Sequence, residues 1–150
     1  MRLRGRTNLS EAYLSAEEQK LIRSSFKKAA PRAAQLVEIF YDKLFDLDST
    51  LRPLFASDIS VQRTKLASML TIVVDVVDKP DVLLDAAEKL GQRHAFYGVS
   101  PDDFEPVGQA LIYSLGEILG DDFTYDVETA WGELYGIVSK KAIQGLTQSA

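Results

Sequence analysis

The single histidine of the sequence, His94, is its one candidate imidazole ligand for a metal, and no cysteine is present. Sites that need thiolates or two imidazoles are therefore excluded, which removes iron–sulfur clusters, HExxH metal centres, disulfides and cysteine nucleophiles. His94 follows Leu90 by four residues and shares the apolar side of a predicted helix, where an unpaired ring carries a desolvation cost. We expect either a metal ligand or a histidine at the edge of the core that is paired with a carbonyl oxygen.

Two further polar residues interrupt apolar helix stripes. Tyr41 lies beside Phe40 and Leu44, and Gln62 precedes Leu66 by four residues. Each side chain offers a hydrogen-bond donor to a ligand held against the apolar face. The alternatives are a buried tyrosine ring with its hydroxyl at the surface, and a solvated glutamine in a first helical turn. Taken one at a time, His94, Tyr41 and Gln62 do not identify a function.

The elements that must position these residues are helices. From residue 14 to residue 143, apolar residues recur at three- and four-residue steps, and no alternating segment predicts a strand. Ser15 with Glu18 has the pattern of a capping box, Pro31 separates two helices, and Ser60 is the predicted cap of the third. We predict an all-α domain of about six helices, at about 16–30, 31–46, 61–78, 82–94 and 101–119, with a last helix that Thr124 or Asp126 opens and that runs to about 143.

Length and charge narrow the classes of function. The 150 residues fit one domain, which we place at 14–150, after a polar and flexible lead-in at 1–13. The net charge of −5 argues against a nucleic-acid partner, whose binding surface should be basic. No run approaches the roughly 20 apolar residues of a membrane span, and no secretory signal is evident. We therefore expect a cytoplasmic protein.

Five segments, taken in order, carry a family resemblance. They are FYDKLF at 40–45, LF at 54–55, QRTKL at 62–66, LGQRH at 90–94 and WGELYG at 131–136. With their spacing, they make residues 14 to about 143 similar to the globin family, in particular to bacterial single-domain globins related to the haem domain of flavohaemoglobins. The resemblance implies a globin fold of six to eight helices crossed around a pocket that binds haem b.

The resemblance also implies a role for each matching residue. His94 resembles the proximal ligand of the haem iron, and Phe55 the aromatic residue that packs on the porphyrin. Tyr41 and Gln62 look like the distal pair of hydrogen-bond donors, with Leu66 beside them over the iron. The remaining matches are Leu90, Val99 and Phe104, which line the proximal side in the family, and Lys65 and Arg93, which are candidate partners of the haem propionates or simply solvated cations.

These roles predict a ligand-binding function. A ferrous iron with one histidine ligand and no second imidazole should be five-coordinate and open to O2, NO or CO. Hydrogen bonds to a charged acceptor contribute about 1.5–3 kcal/mol each, so the Tyr41 and Gln62 donors would slow O2 loss by roughly 10²–10⁴-fold. We expect oxygen binding, in transport or scavenging, as the primary function.

Two alternatives stay open. The first is a nitric oxide dioxygenase that works with a separate reductase, since nothing in the sequence resembles a flavin or nicotinamide domain. Relatives carry a tyrosine and a glutamate that polarise the proximal histidine, whereas the matching positions here are Phe104 and Leu146. Their absence predicts a weaker electron donor to the iron and weakens the enzymatic hypothesis. The second alternative is a haem-based gas sensor or a helical interaction module.

Overall fold

Six α-helices follow one another in the computed structural model, which describes residues 13–55, 59–95 and 99–148. They are α1 (Ala16–Ala29), α2 (Ala33–Leu47), α3 (Ile59–Asp75), α4 (Pro80–Ala95), α5 (Phe104–Leu119) and α6 (Tyr125–Gln148). Short 3₁₀ segments at Ala30–Arg32, Ser49–Phe55, Pro101–Asp103 and Gly120–Asp122 connect them, and the described residues contain no strand. The predicted all-α class is confirmed, with the helix number at the lower end of the predicted range.

Local sequence explains where several helices begin. The Ser15 hydroxyl accepts from the Glu18 N–H while the Glu18 carboxylate accepts from the Ser15 N–H, so the predicted capping box is confirmed. At the start of α6, the Thr124 hydroxyl accepts from the Val127 N–H at 3.3 Å. These caps satisfy N–H groups that have no partner inside a helix, and they fix the points at which the chain turns.

The bounds of most helices differ from the prediction by a few residues, for example those of α2 and α3. Helix α3 begins at Ile59, so Ser60 lies inside its first turn and not at its cap, and α3 ends at Asp75 instead of residue 78. Beyond Asp75 the Lys79 N–H donates to the Val76 carbonyl in a tight turn that leads into α4. Helix α2 begins at Ala33, because Pro31 lies in the preceding 3₁₀ turn.

The closed core lies between α1, α2, α5 and α6. Helix α2 packs on α5, and α1 packs on α6. The Trp131 indole of α6 is fully buried, donates to the Ser25 hydroxyl of α1 at 2.8 Å, and contacts the Phe26 ring at 6.3 Å between centroids. This pairing satisfies both polar groups inside an apolar core. In the described part of the chain, no helix is long and apolar enough to cross a membrane.

Helices α4 and α6 approach each other closely because glycines face the partner helix. A Cβ added at Gly91 of α4 would lie 1.8 Å from the Ala142 carbonyl oxygen, and one added at Gly145 of α6 would lie 2.1 Å from the Glu88 carbonyl oxygen. Only glycine allows the two backbones to meet at these points. The contact at Gly91 lies three residues before His94, so α6 fixes the end of α4.

Candidate functional site

Tyr41 is a buried phenol on α2, the helix that packs against α3. Its ring meets the Phe40 ring edge-on, with centroids 5.0 Å apart, and lies 5.9 Å from the Phe45 ring. Burial raises the pKa of the Tyr41 hydroxyl to about 12, while the Arg63 guanidinium acts in the opposite direction. The hydroxyl is therefore protonated at neutral pH, as a hydrogen-bond donor must be.

Helix α3 carries the other predicted distal residues. Leu66 is half-buried and packs against the core, whereas Lys65 is exposed. Gln62 lies in the first turns of α3, and its side chain falls outside the described residues. The packing of α3 on α2 thus brings the helix of Gln62 and Leu66 to the helix of Tyr41.

Arg63, which the sequence did not single out, belongs to the same region. Among the described residues, its buried Nε has no hydrogen-bond partner, and its charge acts on the hydroxyl of Tyr41. A signal was available, because Arg63 precedes Leu66 by three residues and therefore shares its side of the helix. The sequence alone does not show that the Nε of Arg63 is buried, because this burial depends on packing against another helix.

Helix α4 carries the predicted proximal residues, and its packing on α6 positions them. Leu90 is half-buried and Arg93 is exposed. His94 lies in the last turn of α4, and its side chain, like that of Phe55 at the end of the Ser49–Phe55 segment, is outside the described residues. The metal-ligand role of His94 stays a prediction.

The start of α5 is held by α6. The Tyr135 hydroxyl donates to the Phe104 carbonyl oxygen at 2.6 Å, and its burial raises its pKa. The Tyr135 ring covers Gly108, where an added Cβ would lie 2.6 Å from a ring carbon. Phe104 and Val99 are half-buried, and Leu146 is buried. The sequence did not indicate the contact of Tyr135 with Phe104.

The described residues fit a large apolar group with polar edges. Four apolar residues with predicted haem contacts are half-buried, namely Leu66, Leu90, Val99 and Phe104. The core residues of α5, by contrast, are buried. The Nε of Arg63, on the same helix as Leu66, is buried and has no hydrogen-bond partner among the described residues. The exposed cations Lys65 and Arg93, on α3 and α4, are suited to carboxylates at such an edge. The side chains present therefore fit haem.

A surface hollow of about 600 Å³ lies elsewhere, between α2, α5 and α6. Lys43 stands at its rim with its Nζ 4.5 Å from the centre of the Tyr113 ring. The lining is Lys43, Leu47, Glu105, Gly108, Gln109, Ile112, Tyr113, Gly132 and Tyr135. It contains none of the predicted site residues, so the hollow is separate from the candidate site.

Comparison with known proteins identifies the family. The model of the globin family matches residues 38–142. The chain is 30% identical to the flavohemoprotein of Xylella fastidiosa over 122 residues, which cover 79% of this chain and 30% of that protein. The chain belongs to the globin family. It spans about a third of the length of the curated flavohemoproteins that it matches.

Solved structures agree on the fold. A hexacoordinated heme protein from an anhydrobiotic tardigrade superimposes with a TM-score of 0.83 at 19% identity, over 93% of this chain and 99% of that one. An engineered carbene transferase made from RmaNOD of Rhodothermus marinus gives a TM-score of 0.80 at 27% identity, over 90% and 94% of the two chains. The similarity to the tardigrade protein, at 19% identity, shows the fold alone.

Proposed function

We propose that the chain binds haem b through His94 and binds O2 on the opposite face, where the Tyr41 hydroxyl and the Gln62 amide donate to it. The observation that carries the proposal is the buried, protonated Tyr41 hydroxyl beside α3. The packing of α3 on α2 brings the helix of Tyr41 against the helix that carries Gln62 and Leu66. NO and CO are further ligands of the same site.

The haem would supply an iron with one open position for a diatomic ligand. The side chains of the protein would hold and enclose it. Phe55 and Leu66 would pack on the distal side, and Leu90, Val99 and Phe104 would pack on the proximal side. Lys65 and Arg93, which are exposed on α3 and α4, would bind the propionates.

A second candidate is nitric oxide dioxygenation with a separate reductase. Similarity to flavohemoproteins and to a structure named after RmaNOD supports it. Phe104 and the buried Leu146 replace the polar pair expected on the proximal side, so His94 would push less electron density to the iron. Nitrate formation from nitric oxide, O2 and a flavin reductase, in excess of that from free haem, would support this candidate.

Absorption spectra of the haem-reconstituted protein test the primary function. The unaltered chain should show a Soret band that shifts on reduction and on O2 addition. His94→Ala should lose the ligation, while Lys89→Ala, an exposed α4 variant, should retain it. Absence of the band in the unaltered chain would refute the proposal.

The distal donors are tested by O2 dissociation in stopped flow. Removing one charge-assisted hydrogen bond should speed dissociation by about 10–100-fold in Tyr41→Phe, and Gln62→Leu should act in the same direction. Tyr125→Phe is the matched control, because that tyrosine is 80% exposed. Unchanged rates in both distal variants would show that these residues do not hold the ligand.

A further inference from the structure

Arg63 differs from Arg23 and Arg32 in the hydrogen bonds that its guanidinium makes. Arg23 donates to the Asp75 carbonyl and the Asp78 carboxylate, and Arg32 donates to the Ile118 carbonyl and the Gln35 side chain. Among the described residues, the buried Nε of Arg63 has no hydrogen-bond partner. An unpartnered buried donor lowers stability, and a charged group does so most.

The placement of Arg63 suggests why the chain tolerates this cost. Arg63 lies on α3 next to Gln62, and its charge acts on the hydroxyl of Tyr41 across the contact between α3 and α2. Lys65, two residues further along, is exposed and projects from a different side of the helix. A guanidinium stays charged throughout the pH range in which proteins fold. The distal side therefore holds a permanent positive charge beside a neutral donor.

We propose that Arg63 is a specificity-determining residue, whose charge beside Tyr41 makes the site prefer small anionic ligands over neutral ones. The inference rests on the proposed haem function and deepens it. In a site shielded from water, a cation attracts an anion much more strongly than it does in bulk solvent. A small anion next to Tyr41 would also give the Arg63 N–H groups an acceptor.

Anion binding to the ferric, haem-loaded protein tests this proposal, with azide and fluoride as probes. Arg63→Met should weaken both by about tenfold or more, and Arg63→Lys should restore part of the affinity. The matched control is Lys89→Met, which removes the same charge from an exposed position on α4. Solvent and salt screen that charge, so the control should change affinity by less than about twofold.

Two other measurements separate electrostatics from structure. In the CO complex, loss of a nearby positive charge should move the C–O stretching band to higher wavenumber in Arg63→Met. The band should stay in place in Lys89→Met. In the haem-free chain, Arg63→Met should unfold at a higher urea concentration than the unaltered chain, because the variant removes a buried N–H that has no hydrogen-bond partner among the described residues. Arg63→Gln serves as a second variant if the methionine is not accommodated.

The outcomes distinguish this inference from the proposed function. Equal anion affinities in Arg63→Met and Lys89→Met, with haem bound in both, would overturn the inference and leave haem binding intact. Loss of haem from Arg63→Met, with unchanged azide affinity at the sites still loaded, would also overturn it, since Arg63 would then bind the haem. Failure of the unaltered chain to take up haem would overturn both.

Discussion

Helices α3 and α5 have similar lengths, 17 and 16 residues, yet their apolar side chains are buried to different extents. Seven residues of α5 are buried, including Leu111, Leu115 and Leu119. Among the described side chains of α3, Val74 is buried, whereas Leu66, Leu70 and Val73 are half-buried. The apolar side chains of α5 are covered by other parts of the protein. Helix α3 retains apolar surface that is available to another group.

The difference has a thermodynamic consequence. Burial of apolar surface contributes about 25 cal/mol per Å², so the half-buried leucines of α3 contribute less to folding than the leucines of α5. A group that packs against α3 in the folded state stabilises that state through its binding. Stability around α3 should therefore depend on the ligand, and stability around α5 should not.

The largest expected effect is at the centre of α5. Leu115 is 1% exposed, so Leu115→Ala should lower the free energy of unfolding by about 2–5 kcal/mol, through lost burial and the cavity left behind. Leu70→Ala on α3 is the matched variant, and it should cost less because that side chain is half-buried. Urea unfolding of the haem-free chain measures both. Equal losses would refute the contrast between the two helices.

The contact that fixes α4 gives the next largest effect. Gly91→Ala would place a Cβ against the Ala142 carbonyl, and we expect a loss of about 1–3 kcal/mol from the forced backbone shift. It should also lower haem affinity, because the shift lies three residues before His94. Gly136→Ala on α6 has open space around the added Cβ, and it should stabilise the helix by up to about 1 kcal/mol. Similar thermal unfolding of the two variants would contradict the close packing.

Features that depend on neighbouring residues were predicted best. The capping box of Ser15 and Glu18 and the cap at Thr124 follow from side chains three residues from their partners, as does the assignment of helices by apolar period. The family resemblance supplied the candidates Tyr41, Gln62 and His94. Their roles are not derivable from the period, since a polar residue on an apolar stripe fits several explanations.

Features that depend on distant residues escaped the sequence. The end of α3 at Asp75 is set by a turn, although the apolar pattern continues to Val77. The burial of Arg63 and the bond from Tyr135 to Phe104 each need a partner helix in place. The sequence shows only that Gly91 has a low helix propensity. Its close approach to Ala142 arises from the packing of α4 on α6.

The smallest expected effect concerns alkaline pH, and it compares a tyrosine beside α3 with one on an exposed surface. The pKa of Tyr41 is raised from 10.0 to about 12 by burial, so above pH 10 the unfolded chain releases a proton that the folded chain keeps. Stability contributed by this group is therefore complete below pH 10 and declines as the pH rises towards 12. One such tyrosine lowers the free energy of unfolding by at most about 1.4 kcal/mol per pH unit in that window.

Tyr41→Phe should make this decline shallower, because phenylalanine has no proton to release. Urea unfolding of the haem-free chain at pH 8, 9, 10 and 11 gives the slope. Tyr125→Phe is the control, since its ring is 80% exposed, and it should leave the slope unchanged. The half-buried Tyr135, whose pKa is also raised, continues to contribute in both variants, so the decline should not vanish. If Tyr41→Phe and Tyr125→Phe gave the same slope, the Tyr41 hydroxyl would be in contact with water in the haem-free chain. The lower burial of α3 relative to α5 would then apply to the polar groups of the distal side as well as to the apolar side chains.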